Sequence, residues 1–469
     1  MNKHLTPSKD VTSQLASAPV APLLLKLAIP TILAQLVNLL YNIVDRIYIG
    51  HMPVVGDIAL TGVGLCFPVV YLLSAFAALI GQGGAPRAAI AMGRGDNDEA
   101  ERILGTCFTS MIVTALVLTA AFQLWGEKLL WLFGASEDTI GYAFDYMRIY
   151  AAGSLFVMMA LGMNLFITTQ GYTTFSMITV IIGAALNIIL DPVFIYAFHM
   201  GVAGAAWATI LSQAVSAVFA VCFFFGKRTK LRLKPKYLRP SLRLLGPILA
   251  LGLAPFVMQA TEALVNVSFN SSLQAYGGDV PVGCMTVSTT IMQIFWLPSQ
   301  GIGQGAQPIL SYNFGAGNIE RVRKAFLAML AVSAVFICAG WAAVMLFPTF
   351  FIRIFNDSPA LLEMGSWTLR VYLATFFLMS VQMSIQQVFV SVSRAKSAVF
   401  VACVRKVILL IPLIYILPNF FEDKVFAVFL AEPVSDFLSV VTATTLFLCT
   451  MRKVLWPKGE KKQERKVDA

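Results

Sequence analysis

Long apolar blocks separated by short polar connections fill the chain from about residue 22 to residue 450. A helix needs about 20 mainly apolar residues to cross hydrocarbon. That measure, set against charges, Pro and Gly, predicts twelve spans at 22–46, 57–81, 100–124, 141–163, 170–197, 202–225, 242–270, 281–305, 321–348, 361–389, 395–417 and 425–450. A soluble protein of core helices would still show polar helix faces. These blocks run for tens of residues almost without them. The pattern therefore predicts an all-α integral membrane protein with twelve transmembrane helices.

Composition agrees: charged residues make up only 12% of the chain, against about 25% in soluble domains. The net charge of +10 sits between apolar blocks instead of forming one nucleic-acid-binding face, so no nucleic-acid partner is expected. The connection after the sixth span carries eight basic residues and no acid, and Arg87, Arg94, Arg394, Lys396 and a tail with Lys453, Lys458, Lys461, Lys462, Arg465 and Lys466 mark the same side. Alternate connections are poorer in charge. The alternation predicts both termini in the cytoplasm of a multi-pass protein of the inner or plasma membrane. The basic connection would also suit the anionic lipids of that leaflet. No signal-peptide pattern precedes the first span, so the chain is expected to be retained whole. The seven cysteines lie within or beside apolar blocks with no C-x-x-C and are expected to be small buried hydrophobes. The organisation expected is an N-terminal segment 1–21, a six-helix lobe 22–225, a basic linker 226–241, a second six-helix lobe 242–450 and a basic tail 451–469.

The two halves repeat each other at a constant offset of 222 residues. Gly81-Gln82-Gly83, Pro86, Gly93 and Gly95 correspond to Gly303-Gln304-Gly305, Pro308, Gly315 and Gly317, and Phe133, Arg148 and Tyr150 correspond to Phe355, Arg370 and Tyr372. Span-end punctuation alone would repeat Gly and Pro but not the Arg-x-Tyr pair. Six spans per half makes the repeats parallel in the membrane, an arrangement suited to two bundles that rock about a cleft.

Ionisable groups inside spans are costly and point to function. Between Ile149 and Gly226, Asp191 is the only Asp, Glu, Lys or Arg. Asn187 lies at i−4 from it, on the same helical face, and Pro192 follows, loosening the backbone there. Asp45 lies late in the first span beside Arg46, which is expected to snorkel to the outer interface. Thr209 and Asn164 add a hydroxyl and an amide. Asp45, Asn187, Asp191 and Thr209 offer hard oxygens to a sodium ion, or the two acids share a proton. Helix capping or interhelical hydrogen bonding is the structural alternative. In the second half, Glu262 is mid-span and the best candidate for contacting a cationic substrate, with Gln259 near its face. Glu432 and Asp436, again i and i+4, either bind substrate or support the lobe. Tyr41, Met163 and Met258 would contribute to a soft aromatic cavity for lipophilic cations. No P-loop pattern appears, so coupling to an ion gradient is expected in place of ATP hydrolysis.

Three stretches make the chain resemble the multidrug and toxic compound extrusion (MATE) transporters over about residues 20–450: P-T-I-L-A-Q-L-V-N-L-L-Y-N-I-V-D-R-I-Y-I-G-H, the paired turns G-Q-G-G-A-P-R and G-I-G-Q-G-A-Q-P, and A-L-N-I-I-L-D-P-V-F-I. The resemblance implies two six-helix lobes forming a V-shaped cleft, and efflux of cationic compounds against sodium or protons, with no other cofactor. By position it assigns Asp45, Asn187, Asp191 and Thr209 to the ion site and Asn164 to its polar network. Glu262 matches an acid that another branch pairs with one in the tenth span; here that span offers Gln382, Gln386 and Gln387 instead. The expected protein is a transporter, not an enzyme, working as a monomer on small lipophilic cations among membrane lipids. The alternatives are a flippase for a lipid-linked or amphipathic molecule and a non-transporting sensor or assembly protein.

Overall fold

The computed structural model describes residues 11–52, 56–226, 229–355 and 358–456. The basic tail from Lys458 onward lies outside the described residues, as does Lys227 of the central connection. Eleven described helices are long and apolar enough to span, and a bent pair, Ile140–Ala152 with Ser154–Thr169, makes the twelfth. In order, the first six are Val20–Gly50, Ile58–Gly93, Asn97–Leu132, the bent pair, Thr173–Ala197 and Gly201–Phe223. After the linker come Leu242–Gly277, Asp279–Gly315, Ile319–Leu346, Leu361–Ser391, Ala395–Asn419 and Lys424–Leu455.

Most spans outrun the expected apolar blocks, because a helix does not end where its hydrophobic stretch ends. The third has 36 residues, or about 54 Å at 1.5 Å per residue, against about 30 Å of hydrocarbon. Its charged first turn is capped by Asp96, whose side chain accepts the Glu99 amide at 2.8 Å. The fourth bends by 56° around Gly153, where an added methyl would collide with the Ile210 side chain. The fifth changes from α to π geometry at Pro192, with a π turn over Val193–Ala197, as a ring lacking an N–H requires.

The first half forms an apolar core around Tyr146 and Ile49 and most of another around Phe166 and Met111, which also takes in Leu231 and Leu233 of the linker and Ile248 of the seventh span. The second half forms a third around Phe269 and Phe429. The fourth is mixed: Leu23, Leu24 and Leu27 of the first span pack with Ile309, Phe326 and Phe389. The linker is not a loose tether. Gln170 Oε1 accepts from Thr229 Oγ1, Lys230 N and Leu231 N, and Tyr237 donates to Asp98 at 2.9 Å. Lys234 pairs with the buried Glu101, a hydrogen bond that raises the lysine above its usual pKa. Before the first span, helix Val11–Ser17 buries Leu15 in the mixed core, and Arg321 donates to the Leu15 and Ala18 carbonyls. The cysteine expectation needs correcting. Cys66, Cys107 and Cys284 are buried, but Cys222, Cys338 and Cys449 are exposed, because an apolar block in a membrane protein has a lipid face as well as a core face.

The halves touch where the first and second spans cross the seventh and eighth, and glycines, some of them repeated between the halves, make that contact. A methyl on Gly83 would strike the Ile248 carbonyl, and one on Gly252 the Leu79 carbonyl. Gly93 and Gly315 face the Tyr312 and Ile90 carbonyls, while a methyl on Gly301 would come within 2.7 Å of Ile32. Thr31 Oγ1 donates to the Gly301 carbonyl at 2.6 Å. Backbone thus meets backbone across the seam, on the side of the molecule that carries the linker. Forcing a side chain into such a contact costs ~1–3 kcal/mol, enough to raise an open population about tenfold. Gly252→Val should therefore speed maleimide labelling of a cysteine placed at the buried position of Ile248. Equal labelling with and without the valine would show that the seam does not hold that side shut.

Candidate functional site

The fifth span turns Asn187 and Asp191 to the same side, and the sixth brings Thr209 against them. Asn187 Nδ2 donates to Asp191 Oδ1 at 3.1 Å and lies 3.4 Å from Thr209 Oγ1. Asp191 is fully buried and Asn187 is 2% exposed. Asp45 lies on the first span, which packs along the fifth. Three buried oxygens, Asp45 Oδ1, Asn187 Oδ1 and Asp191 Oδ2, have no hydrogen-bond donor among the described residues. Buried acceptors are rarely left so, and unpaired buried carboxylates still less. Their shared need is for a hydrogen-bond donor or a positive charge: water, a proton or a bare cation. The donor set is all hard oxygen, which fits a proton or an alkali cation equally.

Asn164 is set apart from this group. Its Oδ1 accepts from Thr179 Oγ1 at 2.8 Å, and Ser216 donates to the Thr179 carbonyl at 2.9 Å. Asn164 and Asn187 nevertheless share the wall of one cleft of about 720 Å³ between the halves. Tyr41 and Thr209 also line it from the first half, and Asn266, Asn270 and Thr289 from the second. Apart from Asn164, which sits near the linker end of the fourth span, these residues lie in the parts of their spans away from the linker, so the halves part on that side while the glycine seam closes the other. Arg46 stands near the end of the first span, Val20–Gly50. It lines the cleft, with its guanidinium carbon 4.5 Å from the centre of the Phe67 ring, where cation–π attraction holds it. Met163 does not reach the cleft: it is fully buried in the apolar core around Phe166, so its expected substrate contact is corrected to packing.

The second half corrects the reading of Glu262. Its carboxylate is paired with Lys406 of the eleventh span, so it is not a free acid awaiting a cationic substrate. Glu432 and Asp436 are both held by Arg405, through Nη2 at 3.1 Å and Nε at 2.9 Å. They brace the eleventh span against the twelfth. Arg405 also lies 5.1 Å from the Trp296 ring. Arg405 and Lys406 were the functional residues missed in the sequence. They stand inside the eleventh apolar block, in A-C-V-R-K-V-I-L-L, and the rule that picked out buried acids would have picked them out too. A second cavity, of about 110 Å³, lies beside them and is lined by Met258, Gln259, Gln382, Gln386 and Gln387. Met258 and Gln259 therefore face this cavity, while Tyr41 faces the cleft.

Known proteins share this architecture. The sequence profile of the MatE family matches residues 30–193 and 255–416. The chain is 22% identical to the multidrug export protein MepA of Staphylococcus haemolyticus over 421 residues, covering 89% of this chain and 92% of that protein. Its fold matches the MATE multidrug transporter DinF-BH in complex with rhodamine 6G, with 30% identity, a TM-score of 0.87, and 97% and 100% of the two chains covered. It also matches a MOP superfamily transporter from Pyrococcus furiosus, described as having a binding pocket of reverse polarity, with 23% identity, a TM-score of 0.88, and 96% and 99% coverage.

The ion-paired triad gives a direct test of its bracing role. Arg405→Ala leaves two buried carboxylates unpaired and should cost ~3–5 kcal/mol, lowering the thermal stability of the detergent-purified protein. Removing all three charges together, with Arg405→Met, Glu432→Gln and Asp436→Asn, should restore most of the loss. An unchanged melting temperature in the single variant would contradict the bracing role.

Proposed function

The chain belongs to the MatE family, and on that premise we propose that it is a secondary active multidrug efflux antiporter. It exports lipophilic, mainly cationic compounds in exchange for protons or sodium ions. The observation that carries the reading is the trio of unpartnered oxygens on Asp45, Asn187 and Asp191, where Asn187 and its neighbour Thr209 share the wall of the central cleft. The MepA relative, a multidrug export protein, and the DinF-BH complex with rhodamine 6G support the substrate class.

The linker side is the cytoplasmic side by its excess of basic residues, and the glycine seam closes that side. The cleft then opens outward. In the inward-open state, substrate enters from the cytoplasm or inner leaflet and settles against Tyr41 and the polar wall of the cleft. From outside, a proton or sodium ion reaches Asp45 and Asp191 and takes up their unfilled acceptors. Neutralising the acids removes the attraction for a cationic substrate, changes the local hydration and eases the helix at Pro192. Substrate leaves, and the halves close outside. Differential affinity for the two states, set by the ion, is what makes the exchange obligatory. Thr209 orders Asn187, while Asn164 keeps the cleft wall polar one layer away. The protein works as a monomer in the inner or plasma membrane, with both termini cytoplasmic.

A flippase for an anionic amphipathic molecule is the second reading, favoured by Arg405 and Lys406 inside the second half. Their placement removes the expectation that basic residues keep to the connections. Both are matched by acids, however: three carboxylates face two cations. The interior therefore does not present an unpaired positive surface, and cationic substrates remain the better match.

Proteoliposomes with imposed sodium and proton gradients, varied separately, test the proposal with rhodamine 6G as the transported dye. Wild-type protein should move dye against one of the two gradients. Asp191→Asn and Asp45→Asn should each abolish gradient-driven movement at unchanged insertion. Wild-type transport by both variants would remove the acids from the mechanism, and dye movement indifferent to either gradient would remove ion coupling.

A further inference from the structure

The buried ion pairs of the second half do not balance. Arg405 and Lys406 face Glu262, Glu432 and Asp436, so with every group in its ordinary ionisation state one negative charge is left over. The site is well inside the protein: Arg405 is 3% exposed, Asp436 2%, Glu432 4% and Lys406 7%. An excess charge is far more costly there than at a surface. The groups felt at Glu432 are Asp436, Arg405, Lys406 and Glu262. Tyr372 of the tenth span lies against the same acids but is itself no cation at neutral pH.

The geometry narrows the place of the excess. Glu262 has an ammonium partner of its own, and its side chain is 33% exposed. Glu432 and Asp436 share one guanidinium, stand at i and i+4 on one face of the twelfth span, and are 5% and 3% exposed at the side chain. Two such carboxylates sharing one guanidinium repel each other, which favours one of them holding a proton. The cavity beside them supplies a wet approach. Arg405 and Lys406 form part of its wall, together with Ser299, Ser384, Gln382 and Gln386. The Gln382 and Gln386 carbonyl oxygens and the Ser299 and Ser384 hydroxyls are buried and have no hydrogen-bond partner among the described residues. The cavity, about 110 Å³ with these polar groups set in an otherwise largely apolar wall, is roomy enough for several waters, each occupying about 30 Å³ in the liquid.

We propose that Glu432 and Asp436, bridged by Arg405, hold one exchangeable proton and form a second proton-binding site, reached through the glutamine-lined cavity. The site is independent of the Asp45–Asp191 pair. It depends on the antiporter reading for its use in transport, but not for its existence. Proton exchange there would alter how tightly the eleventh and twelfth spans are braced, and so link the second half to the same gradient.

Infrared spectroscopy of the purified protein tests this without any transport step. In an Asp45→Asn/Asp191→Asn background, which removes the first-half acids, a protonated-carboxyl stretching band should persist at neutral pH, shift in heavy water and disappear as pH rises. Adding Glu432→Gln or Asp436→Asn should remove one carboxyl's intensity. Adding Glu432→Asp, which keeps the charge count, should shift the band without removing it. A purely structural triad would give no such band, and its absence in that background would overturn the proposal. So would a band indifferent to Glu432→Gln and Asp436→Asn alike. Failure of dye export would leave this spectrum unchanged, so the two proposals fall separately.

Discussion

Hydrocarbon solvates neither charges nor peptide groups, and this one deficiency organises the molecule. Backbone polarity is satisfied by running nearly the whole chain as helix. Side-chain charge has to be met locally, and the two halves meet it differently. The second half answers mainly with counter-ions, Lys406 for Glu262 and Arg405 for Glu432 and Asp436, and is left only one positive charge short. In the first half the acids are left incomplete. Asp191 has a single amide donor from Asn187, and the remaining acceptors on Asp45, Asn187 and Asp191 lack protein donors among the described residues. A site filled by its own side chains is a brace. One left short of positive charge is where the proposed mechanism receives it.

The duplication makes this contrast sharper. At the seam the two copies have kept the same residues for the same physical reason. Gly83 and Gly305, like Gly93 and Gly315, lie 222 positions apart and each presses on backbone of the opposite half. Tyr150 and Tyr372 are likewise buried in equivalent cores. Inside the bundles the copies have diverged. The fifth span carries Asn187 and Asp191, whereas the eleventh carries Arg405 and Lys406 in a π-helical stretch, Val404–Leu410. Symmetry is retained where the halves must move against one another, and abandoned where each does its own electrostatic work.

What was legible in the sequence follows from the range of each signal. Span number and the parity of the basic connections are one-dimensional, and the repeat is a register, so all three could be read directly. The Asn187–Asp191 contact was legible because i,i+4 spacing on a helix is itself a distance. The Lys406–Glu262 pair joins residues 144 positions apart, and no local spacing encodes such a meeting. Hence Glu262 read as free. Met163 failed for a related reason: in a membrane bundle the apolar residues on the lipid face, core face and cleft face are the same kinds of residue, and only packing tells them apart. The glycines read as a repeat but not as a seam, because close backbone approach needs two partners and the sequence displays one at a time.

The seam's chemistry also bears on how the halves can separate. Interdigitated large side chains resist parting, since each leaves a cavity behind. Here the contacts are Gly252 on the Leu79 peptide, Gly83 on the Ile248 peptide and Gly301 on Ile32. These are smooth surfaces, pinned by the hydrogen bond from the Thr31 hydroxyl to the Gly301 carbonyl. Closing such a seam gains close van der Waals contact without locking side chains in place, so the free-energy gap between its open and closed forms can stay small. A small gap is what a single captured charge is able to tip. A seam stiffened by leucines would widen that gap, so on the proposed coupling the glycines at the linker side are what would let the unfilled oxygens near the cleft shift the balance.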